Sequence, residues 1–258
     1  MWDNPRLLNL AANILIGVAA VLLASAALQA LLRSPLFPLR EVVVRGELTN
    51  ASRDEIARAL DSIGGNFFSA DLATVRSRLE QVGWVRQVDA RRVWPDRIEV
   101  RLEEHVAIAR WGQVEGDLQQ RGLVNSHGEP FSAALEAEEQ ARLPLFAGPD
   151  GTEGELARRY RRFTELLAPL GMGPEHGALV SVVLTPRHAW RLRTASGLEL
   201  ELGRDGAEPV EARLARFVAA YADSIGRLPR PAAGSEPRRH VDLRYPNGFA
   251  LRVAGWKS

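Results

Sequence analysis

Cysteine is absent from the 258 residues of this chain. That excludes disulfide staples, thiolate zinc sites, iron–sulfur clusters and thiol nucleophiles together, and leaves the compartment open. Lysine is nearly absent as well. Lys257 is the single one, so almost all positive charge is arginine, a trait read first as coding bias. No excess of either sign exists, because 33 basic and 32 acidic side chains leave a formal net charge of +1. Such a balance gives no support to nucleic-acid binding, which needs clustered cations to displace counterions from phosphates. Low-complexity composition is missing too. With 46% hydrophobic and 25% charged residues the chain has the make-up of one or two folded domains.

The signatures of catalysis are equally scarce. There is no GxxxxGK[ST], no GxSxG elbow and no SxxK, and Gly171-Met172-Gly173 lacks the spacing and preceding strand of a dinucleotide loop. His105, His127, His176, His188 and His240 are scattered and form no zinc spacing. Glu103 and Glu104 are adjacent on a strand pattern and point to opposite faces, so they cannot act as a carboxylate pair. Asp150, Glu153 and Glu155 miss the calcium-loop register, and Arg158–Arg162 reads as a solvated helix face. No catalytic residue, metal, cofactor or small-molecule substrate is expected.

What the sequence does have begins at its N-terminus. Leu10 to Leu32 runs without a charge, interrupted only by Asn13, Ser25 and Gln29. At about 1.5 Å per residue it spans roughly 34 Å, enough to cross a hydrocarbon core about 30 Å thick. A cleaved signal peptide would account for Ala24-Ser25-Ala26, but its apolar stretch is normally about 7–15 residues long. The segment therefore predicts an uncleaved membrane helix. Arg6 on one flank and Arg33 and Arg40 on the other do not decide its orientation.

Residues 37–104 read as a small α+β unit. Leu39–Arg45 is β-branched, and Pro35 and Pro38 separate it from the apolar run. Ser52 with Glu55 forms a capping box for a helix carrying Ile56, Ala59, Leu60 and Ile63 on one stripe. Asp71 opens a second helix with Leu72, Val75, Leu79 and Val82 at helical spacing. Val85–Val93 and Arg97–Glu103 follow as strands around the turn Trp94-Pro95-Asp96. The second alternates Ile98, Val100 and Leu102 with Arg97, Glu99, Arg101 and Glu103. Trp84, Trp94 and Trp111 are expected to pack in cores or turns.

VVVRGELTNASRDEIARAL, the pair Phe67-Phe68, and WVRQVDARRVWPDRIEVRLEEHVAIARW together make this unit resemble the POTRA domain of the bacterial FtsQ/DivIB cell-division family. The resemblance implies a non-catalytic module that meets other membrane division proteins, among them the translocase FtsK.

Residues 105–258 predict a β-rich domain with two helices. Strands are read at Val106–Arg110, Gly122–Asn125, Leu143–Phe146, Leu179–Leu184, Trp190–Thr194 and Leu198–Leu202. One helix carries Leu156, Tyr160, Phe163, Leu166 and Leu167 on its buried side. A second, between Asp205 and Ile225, carries Val210, Leu214, Phe217, Val218 and Tyr221. After the connector Leu228–Arg239, Val241–Tyr245 and Phe249–Val253 read as a hairpin whose Asn247-Gly248 pair favours a type I′ turn. ARFVAAY and HVDLRYPNGFALRV match the β-domain of the same family, so the resemblance extends over nearly all of the chain after Leu39.

The last strand pairs with its hairpin mate on one side, and its other edge is expected to be free for a partner segment to add as a further strand. The resemblance implies capture of FtsB, coiled with FtsL, within the assembly that controls septal peptidoglycan synthesis by FtsW and FtsI. It points to Arg187, Trp190, Leu202, Arg244, Tyr245, Gly248, Phe249, Ala250, Leu251 and Val253. Tyr245 and Trp190 suit anchor roles, or else simply pack the domain. The expected organisation is a cytoplasmic segment 1–9, an inner-membrane helix 10–32, and POTRA and β-domains 37–104 and 105–258 in the periplasm at the septum. Two other readings remain: a POTRA-containing outer-membrane assembly or secretion component, which would need a long barrel of alternating strands, and a secreted enzyme released by signal cleavage.

Overall fold

The computed structural model describes residues 5–32, 34, 37–61, 64–112, 120–171, 179–227 and 239–253. Ile63, Met172, Gly173, His176 and the connector at 228–238 lie outside them, and of Val253 only the backbone is described. The chain divides into two compact units, Met1–Glu104 and His105–Ser258.

In the first unit, α1 runs from Pro5 to Leu32, starting before the apolar run itself. Its side chains around Leu15, Val21 and Leu23 are exposed, and its Asn9–Leu32 stretch is long and apolar enough to cross a membrane. Three strands follow, β1 (Glu41–Arg45), β2 (Val85–Val93) and β3 (Arg97–Glu104), in the order β1-β3-β2. β1 lies parallel to β3, and β2 antiparallel to it. Helices α2 (Arg53–Leu60) and α3 (Leu72–Leu79) lie between β1 and β2 in the chain. Ser52 and Asp71 cap them by accepting from the backbone N–H of Asp54 and Ala73. Ile56, Val75 and Leu79 are buried from the helices, and Val88, Ala90, Ile98, Val100 and Leu102 from the strands. The alternation in β3 puts its apolar face in this core. Glu103 pairs with Arg86 at 2.9 Å, whereas the Glu104 carboxylate accepts from the N–H groups of Thr49, Asn50 and Ala51. Both acids are structural. Trp84 and Trp111 are buried as expected, but Trp94 is 73% exposed on the β2–β3 turn.

The second unit is built on a nine-stranded sheet in the order β12-β11-β10-β9-β8-β7-β4-β5-β6. Its strands are β4 (Ala107–Gly112), β5 (Gln120–Asn125), β6 (Pro130–Phe131), β7 (Leu145–Ala147), β8 (Leu179–Leu184), β9 (Ala189–Thr194), β10 (Leu198–Arg204), β11 (Arg239–Asp242) and β12 (Ala250–Val253). Helices α5 (Glu153–Leu167) and α6 (Val210–Tyr221) send Leu156, Phe163, Leu167, Val210, Leu214 and Phe217 into one core with Phe146, Trp190, Leu192, Leu200 and Leu202. A third helix, α4 (Ala137–Arg142), was not legible in the sequence because it buries no residue and so leaves no apolar stripe. Arg159 departs from the solvated face read for its arginine run. It pairs with Asp205 at 2.7 Å and with Glu211, and lies 5.6 Å from the Trp190 ring, fastening α5 to the start of α6.

Candidate functional site

The C-terminal strands arrive at the edge of the sheet by a reversal of direction. β11 joins β10 in parallel, with Leu200 opposite Val241 and Glu201 opposite Asp242. β12 then returns antiparallel to β11, with Val241 opposite Leu251 and Asp242 opposite Ala250. This makes β12 the outermost strand, and among the described residues no strand pairs with its far side. A rim of this kind carries backbone donors and acceptors on which another chain can extend the sheet.

The hairpin itself differs from expectation. The last pair is Asp242 with Ala250, so residues 243–249 form a wide connection with its turn at Pro246-Asn247. Neither Asn247 nor Gly248 is among the described residues with positive φ, so the type I′ turn is absent. The cause is tertiary anchoring at both ends of the connection. Leu243 is buried and its N–H donates to Glu201 O at 2.9 Å, prolonging the β10 ladder. Phe249 packs edge-on to Phe217 of α6, with ring centroids 5.5 Å apart.

Between those anchors the connection is held by arginines. The Asp242 carboxylate accepts from the backbone N–H, Nε and Nη2 of Arg244 at 3.0, 2.9 and 2.6 Å. Glu201, beside Asp242 on the neighbouring strand, lies 3.5 Å from Arg244 Nη1 and 3.4 Å from His240 Nε2. Two carboxylates thus share one guanidinium. The bonds from Arg244 hold the Asp242 carboxyl below its ordinary range, and the same pairing pushes the guanidinium up. From the other side, Arg216 of α6 donates to Tyr245 O at 3.0 Å. The Tyr245 side chain, 54% exposed, is thereby presented from a fixed backbone. Ala250 and Arg252 are exposed, whereas Phe249 and Leu251 lean on the core.

Of the residues singled out from sequence, Arg244, Tyr245, Gly248, Phe249, Ala250, Leu251 and Val253 come together at this rim. Arg187 is exposed on the turn between β8 and β9, at the end of the sheet where β10 and β11 finish. Trp190 and Leu202 do not join them. Both are buried in the core, Trp190 edge-on to Phe163 at 5.6 Å, so neither can touch a partner directly. Their alternation within inner strands turns them toward the helices. Sequence reasoning missed Arg216, Glu201 and Gly203. Only Gly203 left a signal, by interrupting the alternation of β10 at a register shift. Its φ is +77°, and a Cβ there would stand 2.8 Å from Arg244 Cγ, so glycine makes room for the arginine stem.

Chemically, the site offers backbone hydrogen-bonding groups, an exposed phenol and arginines. Among the described residues no cluster of three His, Asp or Glu could hold a metal ion. An apolar helix of membrane-spanning length, a βααββ unit and a second, β-rich unit whose sheet ends on the edge strand β12 place the chain in the mixed α+β class. Comparison with known proteins gives it a family. Residues 37–105 match the family model for the FtsQ-type POTRA domain, and residues 109–244 that for the C-terminal region of cell division protein FtsQ/DivIB. Cell division protein FtsQ of Burkholderia pseudomallei is 38% identical over 259 residues, covering 100% of this chain and 96% of the relative. That of Nitrosospira multiformis is 36% identical, covering 98% and 99%. The Escherichia coli protein is 31% identical, covering 85% and 73%. The chain belongs to the FtsQ/DivIB family of cell division proteins.

Proposed function

We propose that this chain is a non-catalytic scaffold of the division machinery that captures FtsB, coiled with FtsL, by strand addition onto β12. Residues 1–9 lie in the cytoplasm, α1 crosses the inner membrane once, and the POTRA unit (37–104) and β-domain (105–258) work in the periplasm at the septum. The POTRA unit meets FtsK and other division proteins, and capture of FtsB and FtsL governs septal peptidoglycan synthesis by FtsW and FtsI. No nucleic acid, cofactor or small-molecule substrate takes part.

The single observation that supports this reading is the place of β12 at the end of the nine-stranded sheet. A segment pairing there gains directional main-chain bonds, while Tyr245 and Arg252 beside the rim supply side-chain specificity. Proline at 246 has no N–H to donate, so pairing starts beyond it. The FtsQ-type character of both matched domains leaves the outer-membrane alternative without support.

The test places a photoreactive residue at Ala250 or Arg252 of the full chain in dividing cells, with exposed Glu138 of α4 as control. Crosslinks to FtsB at both rim positions and none at the control are expected. Efficient FtsB crosslinking at Glu138 with none at the rim would sink strand addition at β12.

A further inference from the structure

Outside α1, the first unit exposes two large hydrophobic side chains among the described residues, Phe68 and Trp94. They come from different segments, one between α2 and α3 and one from the β2–β3 turn. Their placement is nevertheless common. β1 starts beside the beginning of β3, with Glu41 opposite Arg97, so the turn at 94–96 sits where the chain arrives from α1. Arg40 N–H donates to Asp96 O there at 2.9 Å. Arg92, two residues before Trp94, donates to the carbonyls of Phe67, Phe68 and Ala70 at 2.8, 3.3 and 2.6 Å, tying the Phe68 segment to the same end. Phe68 is also edge-on to Phe37, with centroids 5.0 Å apart, and Phe37 O accepts from Phe67 N–H.

That end is fastened to α1 by one buried side chain. Asn66 Nδ2 donates to Leu32 O at 2.6 Å and Ser34 O at 2.9 Å, while its Oδ1 accepts from Phe68 N–H, Ser69 N–H and Ser69 Oγ. The last carbonyls of a helix have no partner within it, and at a lipid boundary an unmet carbonyl is expensive. Asn66 supplies one from 34 residues further along the chain. Phe68 is therefore held level with the final turn of α1. A 28-residue helix is about 42 Å long, against a hydrocarbon core of about 30 Å, so that final turn reaches the headgroup layer.

We propose that the POTRA unit rests on the membrane surface through Phe68 and Trp94, with Asn66 fixing its height as an external cap on α1. The inference depends on the proposal that α1 spans the bilayer. Lipid is the occupant because both aromatics lie at the end of the unit where the chain arrives from the membrane helix, and together they have the chemistry of an interfacial belt. Aromatic rings sit at headgroup depth, and Arg40, its side chain 73% exposed, stands beside them.

The absence of cysteine allows a direct test on the full chain in phospholipid nanodiscs without any partner. Nitroxides are attached singly to Phe68→Cys, Trp94→Cys, Leu15→Cys in mid-helix and Glu80→Cys at the far end of α3. Collision rates with oxygen, which concentrates in lipid, and with a water-soluble nickel chelate are then compared. The oxygen-to-nickel ratio is expected to be highest at 15, several-fold above that of 80 at both 68 and 94, and lowest at 80. A lipid-like ratio at 15 with water-like ratios at both 68 and 94 overturns the resting contact and leaves the membrane span intact. Water-like ratios at all four sites overturn the span, and the contact with it. Labels at 68 and 94 report independently, so a variant that fails to fold does not remove the answer.

Discussion

Arg244 closes on the carboxylate of Asp242, two residues earlier, from its backbone N–H and from the Nε and Nη2 of its guanidinium. This ring sits where β11 ends, so the arginine stiffens the rim before any partner arrives. Losing it unpins residues 243–249. Asp242→Ala should cost about 2–3 kcal/mol of stability, the worth of charge-assisted bonds around a buried acid. Hydrogen exchange of the full chain in detergent checks it: the amides of 243–249 should exchange faster, and those of α5 should not.

The same pair sets a pH dependence. The folded-state pKa of Asp242 lies below the unfolded value of about 3.9, so its contribution is complete above that value and disappears as pH falls through the lower one. The difference in Tm between wild type and Asp242→Asn should be flat from about pH 5 to 8 and close below about pH 4. A difference that does not narrow at all as pH falls below about 4 would contradict this account of the ring.

Gly203 and Gly197 separate conformational strain from steric clash. Both have positive φ, +77° and +81°, but only at Gly203 would a Cβ meet a neighbour, Arg244 Cγ at 2.8 Å. Gly197→Ala should cost about 1 kcal/mol. Gly203→Ala should cost about 1–2 kcal/mol more and loosen the 243–249 amides as well. Urea unfolding of the two variants, compared with exchange at 243–249, measures both effects.

Trp190 and Tyr245 should respond oppositely. Trp190→Ala empties a core position packed against Phe163 and should cost about 3–5 kcal/mol of stability. Tyr245→Ala touches little of the chain itself and should change stability by less than about 0.5 kcal/mol, while weakening FtsB capture by about 2 kcal/mol if it anchors the partner. Thermal melts and quantitative pull-down on the same preparations distinguish the two.

Asn66→Ala removes the cap on α1. Nitroxides at Phe68→Cys and Trp94→Cys should become more mobile in nanodiscs, while the spectrum at Glu80→Cys stays the same. Equal spectra with and without Asn66 would show that the cap does not hold the unit.

The sequence by itself determined whatever rests on local periodicity and backbone chemistry. The apolar run produced α1, Ser52 and Asp71 started α2 and α3, and strict alternation wrote β3 and its buried face. The family resemblance was legible in blocks such as HVDLRYPNGFALRV because those residues are contiguous.

Only the tertiary structure decided what depends on neighbours distant in the chain. Asn247-Gly248 favours a tight turn locally, but Leu243 on the β10 ladder and Phe249 against Phe217 hold the ends apart and override it. Trp190 and Tyr245 look alike as aromatic candidates, yet strand order buries one under α5 and leaves the other at the rim. Asn66 and Leu32, and Arg216 and Tyr245, meet through hydrogen bonds across long separations. No periodicity encodes such meetings, since their geometry exists only once the elements between them have packed.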